Sequence, residues 1–217
     1  MKPSFEEIQL VGETFLLLPQ RALFRPGKEQ LIVSDIHLGK ASHFRKQGIA
    51  FPPQSHLKDL DKLHYLLNTW KPSSVLILGD LFHSSYNKEW LWFKSLLMHF
   101  SQINFILVEG NHDILDKTFY AISNLLVTDV LEEEHLIFSH KQLNELTKLN
   151  IHGHIHPGVE IFGMARQSIR LPCYYLARRQ FIMPAFGHLT GLHVLKREDD
   201  TVVYAILENS IVKLNGR

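Results

Sequence analysis

Aspartate, asparagine and histidine residues occur in five short clusters along this sequence, and these residue types suit metal ligation. The first cluster, Asp35-Ile36-His37, places a carboxylate and an imidazole two residues apart. On an extended backbone residues i and i+2 face the same side, so we expect both side chains to reach one cation. The other clusters are Gly79-Asp80, Gly110-Asn111-His112-Asp113, Ser139-His140 and Gly153-His154-Ile155-His156.

Together these clusters offer too many ligands for one ion. Mixed Asp, Asn and His ligands favour Mn, Fe or Zn over a pure Mg site. Two ions about 3.5–4 Å apart, bridged by one carboxylate, would use all of the ligands. Such a pair activates a water molecule and binds both oxygens of an in-line phosphoryl displacement. The clusters therefore predict hydrolysis of a phosphate ester.

Four of the clusters follow short apolar runs, at 31–33, 75–78, 103–108 and 136–138, which are typical of buried strands. Helical spacing of apolar residues occupies 53–70 and 88–100, between these runs. Alternating strands and helices indicate an α/β core, in which active sites collect where strands end. The last third contains four strand patterns without intervening helices (171–176, 180–186, 191–195 and 201–207), which predicts a second, largely antiparallel sheet. Residues 8–11 and 14–18 are expected to add strands.

Composition sets limits on the class of protein. The 217 residues suit a single domain spanning 1–217. The formal net charge is +1, so the sequence does not indicate a strongly basic surface. The net charge therefore gives no argument for nucleic-acid binding. Cys173 is the only cysteine, which fits a reducing compartment. The N-terminal segment carries no secretion-signal pattern and the apolar runs are too short to span a bilayer, so we expect a cytoplasmic protein with no membrane partner.

The ordered set of clusters resembles the calcineurin-like metallophosphoesterase superfamily, whose pattern is D-x-H, GD, GNH(D/E), H and GHxH. The match covers most of the chain and keeps the order of the motifs. The resemblance implies a four-layer α/β sandwich of two facing mixed β-sheets flanked by helices. Ser139 precedes His140 where the superfamily usually has glycine, and a residue this small still permits ligation.

The resemblance also implies a role for each matching residue. Asp35, His37 and His156 would bind the first metal, Asn111, His140 and His154 the second, and Asp80 would bridge the two. His112 would contact the phosphate and protonate the leaving oxygen, and Asp113 would orient His112 by accepting its second N–H. Arg45 is a further candidate for a phosphate contact, and His83 is a candidate to line the substrate cleft.

Segments that flank the motifs resemble one particular family within this superfamily. They are LPQRALF before the first motif, SDIHLGKASHFRKQG around it, LGDLFHS at the second motif, and LPCYYL and MPAFGHLTGL near the end. Together they are similar to the DNA ligase-associated metallophosphoesterase family. That family implies Mn-dependent endonuclease or phosphodiesterase activity on DNA, preferentially single-stranded, in DNA repair. It also implies a ligase, a helicase and an exonuclease-like protein as operon partners.

Two other functions stay open at this stage. A small-molecule phosphoesterase acting on a nucleotide or cyclic nucleotide would share the metal centre, and an open basic groove or a closed pocket would separate the two. A non-catalytic scaffold of the same fold is a third possibility, although the complete ligand set and His112 count against it. For histidines outside the motifs, including His188 in the AFGHLTG turn, a structural role is the default interpretation. Lys40 would ordinarily be solvated, but beside a phosphate site it could hold a nucleic-acid backbone.

Overall fold

The computed structural model describes residues 4–40, 57–82, 88–144, 147–164 and 167–215. Arg45 and His83, which the sequence proposes as substrate contacts, lie outside these ranges. Within them the chain forms two mixed β-sheets, two α-helices and two short 3-10 helices at Pro26–Lys28 and Lys117–Tyr120.

The first sheet has seven strands that lie side by side in chain order. They are β1 (Glu6–Leu10), β2 (Glu13–Leu18), β3 (Ala22–Arg25), β4 (Gln30–Val33), β5 (Ser74–Leu78), β6 (Asn104–Val108) and β7 (Leu125–Thr128). Strands β1 to β4 form an antiparallel meander, and β4 to β7 are parallel. Helix α1 (Lys58–Trp70) lies between β4 and β5 in the chain, and α2 (Lys88–His99) between β5 and β6, as parallel neighbours require a crossover.

The second sheet contains the remaining strands. They are β8 (Leu131–Glu132), β9 (Leu136–Ser139), β10 (Leu149–His152), β11 (Pro157–Phe162), β12 (Ser168–Ala177), β13 (Gln180–Ile182), β14 (His193–Val194), β15 (Thr201–Ile206) and β16 (Ile211–Asn215). Most neighbours are antiparallel, but β9, β10 and β13 pair in parallel, and so do β11 and β14. The sheet is therefore mixed, and its parallel part carries the metal-ligand motifs of the C-terminal half.

Apolar side chains hold the layers together. One buried cluster joins the facing surfaces of the two sheets, with Phe15 and Leu76 from the first and Phe138 and Phe181 from the second. A second cluster covers the outer face of the first sheet with α1 and α2. All of β4, and β5 after its first residue, are buried because these strands are covered on both faces. The two facing mixed sheets implied by the resemblance are present.

Helix α1 forms because its leucines repeat at helical spacing and bury one face. Leu60, Leu63, Leu66 and Leu67 are buried against the first sheet. The helix ends at Trp70, and the next residue, Lys71, adopts the left-handed conformation (φ 47°) and donates its N–H to the carbonyl of Leu67. No helix in the described ranges is long and apolar enough to cross a membrane.

Some predicted boundaries were wrong. Residues 180–186 were expected to form one strand, but β13 ends at Ile182 because the chain then leaves the second sheet and reaches the first. There the N–H of Phe186 donates to the carbonyl of Ser34 at 2.7 Å. The sequence did not predict β10, because Asn150 interrupts its short apolar run, yet this buried amide donates to Ser139 Oγ at 2.9 Å inside the sheet.

Candidate metal centre

The predicted ligands converge where the carboxyl ends of five strands meet. Asp35 and His37 follow β4, Asp80 follows β5, Asn111 follows β6, His140 follows β9, and His154 and His156 follow β10. Parallel strands place their carboxyl ends at one edge of a sheet, and the two sheets face each other, so the five loops share one cleft.

The first group consists of Asp35, His37 and His156, whose candidate ligand atoms all lie within 4.8 Å of one another. His156 Nε2 lies 3.3 Å from His37 Nε2 and 3.3 Å from Asp35 Oδ1. Asp35 is fully buried, and its Oδ1 has no hydrogen-bond partner among the described residues. Buried carboxylate oxygens are normally paired. Two imidazole nitrogens and an orphaned carboxylate oxygen that converge in this way fit a divalent cation.

The second group consists of Asp80, His140 and His154, which also satisfy the 4.8 Å limit. His140 Nε2 lies 3.0 Å from His154 Nδ1 and 3.1 Å from Asn111 Oδ1. The other nitrogen of His140, Nδ1, lies 3.0 Å from the carbonyl oxygen of Leu78, which can only accept, so Nδ1 carries the proton. The Nε2 lone pair is therefore available for a metal, as is usual for ligating histidines.

Asp80 lies between the two groups. Its Oδ2 is 3.8 Å from Nε2 of His37 in the first group, and its Oδ1 is 3.4 Å from Nε2 of His140 in the second. Oδ1 also accepts the backbone N–H of His112 at 2.9 Å. The side chain is buried, so these contacts fix its orientation. One carboxylate thus presents an oxygen to each group, which is the arrangement that a bridging ligand requires.

The backbone of the ligand loops is not extended, and the reason given above for the D-x-H spacing is wrong. Asp35 and His37 both have φ of 53°, and His154 and His156 have φ of 69° and 54°. Each such non-glycine residue costs on the order of 1–3 kcal/mol. Hydrogen bonds between loops hold the conformation: the N–H of Asp35 donates to the carbonyl of Gly79 at 3.1 Å. In this conformation Asp35 and His37 reach the same ligand group, whereas His154 belongs to the second group and His156 to the first.

Glycines in the motifs allow the ligand loops to touch. A Cβ at Gly153 would collide with the Ser34 hydroxyl, and one at Gly79 would collide with the imidazole of His140. The close approach lets Asp35 Oδ2 accept the backbone N–H of His154 at 2.9 Å. This bond joins the loop after β4 of the first sheet to the loop after β10 of the second.

Asp113 is buried beside the site and fixes the loop that carries Asn111 and His112. Its two oxygens accept the backbone N–H groups of Gly110 at 2.9 Å and Phe82 at 3.1 Å. Burial raises the pKa of Asp113 to about 6, although the two hydrogen bonds act in the opposite direction and lower this pKa. The half-buried ring of His112 lies edge-on to the ring of His37, with centroids 5.6 Å apart. Acceptance of the His112 ring N–H by Asp113 stays a prediction.

Charge and burial tune the remaining groups at the site. Burial alone would raise the pKa of Asp35, but the contact and charge of His156 outweigh it and lower that pKa. Desolvation and the neighbouring His140 lower the pKa of His154, which favours the neutral ligand form. His152, fully buried in β10, donates Nδ1–H to the carbonyl of Gly153 at 3.0 Å, and burial lowers its pKa to about 4.

Sequence reasoning missed a second set of polar groups next to the first ligand group. A narrow cavity beside His37 is lined by Lys40, Asp59, His188 and Thr190. Asp59 lies in the first turn of α1 and its sequence context gives no sign of a site. The AFGHLTG turn pointed to His188, and the charge after the first motif pointed to Lys40, but neither signal identified Asp59 as a partner.

Comparisons with known proteins identify a family and proteins of similar fold. The sequence matches the calcineurin-like phosphoesterase family over residues 30–197. No curated protein matches the chain. The crystal structure of the nuclease MPE of Pseudomonas putida has a similar fold, with a TM-score of 0.79 and 23% identity over 97% of this chain and 100% of that chain. Yfce, a phosphoesterase from E. coli, shows a weaker likeness (TM-score 0.46, 14% identity, 87% of this chain and 99% of that chain). The family match spans more than half of the sequence and the site carries two candidate metal-ligand groups, so the chain belongs to the calcineurin-like phosphoesterases, a family of dinuclear metal-dependent hydrolases.

Proposed function

We propose that this enzyme is a Mn-dependent phosphodiesterase that cleaves DNA, preferentially single-stranded, in DNA repair. The flanking segments that resemble the DNA ligase-associated metallophosphoesterases support this substrate, and a nuclease shares the fold over 97% of the chain. We further propose that a ligase, a helicase and an exonuclease-like protein act in the same repair process, on the strength of that resemblance.

The orientation of Asp80 is the observation that carries the proposal. We assign Asp35, His37 and His156 to one metal ion, Asn111, His140 and His154 to the other, and Asp80 to the bridge. The donor set of carboxylate, amide and imidazole groups suits Mn, Fe or Zn, and we propose Mn. When bound, the two ions would neutralise the charge on the phosphate and lower the pKa of a water molecule.

His112 is the proposed general acid. Attack of a water oxygen on phosphorus breaks the bond to the leaving oxygen, and that oxygen takes a proton from the imidazole of His112. The ring is half-buried at the edge of the first group, and the backbone of His112 is held by Asp80. Asp113 positions the same loop through Gly110. Arg45 and His83 stay predicted substrate contacts.

One observation favours the small-molecule alternative as a second candidate. A cavity of about 360 Å³ beside Asn111 and His140 is lined by Lys141 but also by the carboxylates of Glu109 and Asp129. Acidic groups repel a polyanion, and the volume falls in the range of small-ligand sites, which is roughly 300–1,000 Å³. A mononucleotide ester would suit this cavity better than a long strand.

Circular single-stranded DNA separates the candidates. We would incubate metal-stripped protein with the circle, with and without Mn²⁺, and resolve the products on a gel. Linear fragments that require Mn²⁺ and disappear in the His112→Ala variant are the expected result. An intact circle, together with Mn²⁺-dependent hydrolysis of mononucleotide esters, would instead favour the small-molecule phosphoesterase.

A further inference from the structure

The turn at residues 185–190 is locked onto the first metal-ligand loop. The N–H of Gly187 donates to the carbonyl of Asp35 at 3.0 Å, one residue after the bond from Phe186 to Ser34. A Cβ at Gly187 would collide with the carbonyl oxygen of Ile36. Glycine at this position therefore lets the turn pass directly against the D-x-H loop.

Two half-buried cations reach the same turn from other elements. Nη1 of Arg21 lies 3.3 Å from the carbonyl oxygens of Ala185 and Gly187. Nζ of Lys62, on α1, donates to the carbonyl of Phe186 at 2.5 Å and lies over its ring, 3.8 Å from the centroid. The side chains of Arg21 and Lys62 thus hold three consecutive backbone carbonyls of this turn. These contacts fix the position of the residue that follows Gly187.

That residue is His188, and Asp59 fixes its ring. Nδ1 of His188 lies 2.7 Å from Oδ2 of Asp59, and the backbone N–H of His188 donates to the same carboxylate at 3.1 and 3.2 Å. Asp59 is buried. The carboxylate accepts the Nδ1 proton and leaves Nε2 as the free end of the ring. The His188 side chain is 28% exposed, so a solute can reach it.

The cavity joins His188 to the metal centre. Its lining runs from His37, a proposed ligand of the first metal, past Lys40 to His188 and Thr190. The cavity measures only about 10 Å³, too little for a phosphate group, so an anion would bind at its mouth, where the His188 side chain is partly exposed. Burial lowers the pKa of Lys40, and the negative charges of Asp35 and Asp80 oppose this effect and favour the ammonium form. The Thr190 hydroxyl already donates to the carbonyl of Gly187 at 2.8 Å, so the donors left for a second anion beside the phosphoester site are the imidazole of His188 and the ammonium of Lys40.

We propose that His188, positioned by Asp59, and Lys40 bind the phosphate group that neighbours the scissile one on the His37 side of the cleft. This inference rests on the proposed function and adds a substrate subsite to it. His188 and Lys40 are the substrate-binding residues, and Asp59 is a positioning residue that acts through His188.

A comparison of two substrates tests the subsite. Bis(p-nitrophenyl) phosphate carries one phosphate, whereas a single-stranded oligothymidylate carries phosphates on both sides of every scissile bond. The measured quantity is the ratio of kcat/KM for the oligonucleotide to kcat/KM for the small diester. His188→Ala is expected to lower this ratio by about tenfold or more, as loss of a hydrogen bond to a charged group would. His188→Gln keeps an N–H donor and should restore part of the ratio.

Two further variants complete the test. Asp59→Asn should lower the same ratio and be non-additive with His188→Ala, because both act on one ring. Lys40→Ala should reduce the slope of log KM for the oligonucleotide against log salt by about 0.7, the value for one phosphate contact on a single strand. Lys94→Ala, on the exposed face of α2, is the matched control and should leave the slope as it is.

The outcomes separate this inference from the proposed function. If His188→Ala lowers both kcat/KM values alike and the ratio stays constant, the histidine is structural and the subsite is overturned while the phosphodiesterase stands. If the wild-type enzyme with Mn²⁺ hydrolyses only the small diester, the DNA substrate is wrong and the subsite falls with it. If the enzyme hydrolyses neither compound, the proposed function itself is overturned.

Discussion

Single residues at this site combine burial with an unusual backbone. Asp35, His37 and Asp80 are buried, all three adopt the left-handed conformation, and each holds a candidate ligand atom towards the cleft. Such strain persists only where surrounding contacts impose it, and it clusters at functional sites. Contacts between the loops therefore impose the positions of the candidate ligand atoms, against the backbone preference of these residues.

Replacement of His112 separates metal binding from proton transfer. His112→Ala should keep the metal content of the wild type, because His112 is not among the proposed ligands. Turnover of a phosphodiester with a poor leaving group should fall by about 10²–10⁴ through loss of the general acid. Metal analysis and steady-state kinetics on one preparation check both values. Wild-type turnover in this variant would contradict the assignment.

His152 should make the metal-free protein sensitive to mild acid. Its pKa is lowered to about 4 by burial, so between about pH 6.5 and pH 4 the unfolded chain takes up a proton that the folded chain does not. Stability should therefore fall as the pH drops through this window, by up to about 3 kcal/mol from this residue. His152→Leu should flatten that part of the curve, as measured by urea unfolding with a chelator present. If the loss of unfolding free energy between pH 6.5 and pH 4 is the same in His152→Leu as in the wild type, the pKa of this imidazole is not lowered in the folded protein.

At the scale of elements, the two sheets are joined by a buried guanidinium. Arg25 on β3 pairs with Glu13 on β2 at 2.6 Å and with Glu133, next to β8 of the second sheet, at 2.8 Å. Its guanidinium carbon lies 5.4 Å from the ring centroid of Phe15 and 5.5 Å from that of Phe138. These strands lie beside the sheet interface, so the ion pairs fix how the two sheets face each other.

Arg25→Leu should lower the free energy of unfolding by about 3 kcal/mol. Removal of one partner from a buried pair typically costs 3–5 kcal/mol, and partial exposure of Glu13 and Glu133 places this case at the low end. Arg170→Leu removes a pair with Glu160 whose arginine is 65% exposed, and should cost less than about 1 kcal/mol. Urea denaturation of both variants provides the comparison, and equal losses would mean that burial does not matter here.

The same elements show how far the sequence could predict the structure. Strands β4 and β5 were predictable because continuous apolar runs followed by aspartate are typical of buried parallel strands. Strand β3 was not predictable, because an arginine such as Arg25 is normally expected at the surface. Its partner Glu133 lies 108 positions later in the chain and could not be recognised from the sequence. The candidate ligands Asp80 and His140 were predictable from their motifs. The left-handed loops were not, since they depend on hydrogen bonds between distant segments.

At the scale of the whole molecule, the candidate site depends on both sheets. Asp35, His37, Asp80 and Asn111 come from the first sheet, and His140, His154 and His156 from the second. Each candidate group contains residues of both sheets. A change that separates the sheets should therefore weaken both metal sites together, which links the stability of the fold to metal affinity.

The central claim is that two metal ions, bridged by Asp80, are needed for phosphodiester hydrolysis. The most direct test titrates metal-stripped protein with Mn²⁺ and follows hydrolysis of bis(p-nitrophenyl) phosphate at each equivalent. The account predicts little activity up to one ion per chain, a rise with the second ion, and no such rise in Asp80→Asn. Full activity at one ion per chain, or an undiminished second step in Asp80→Asn, would contradict it.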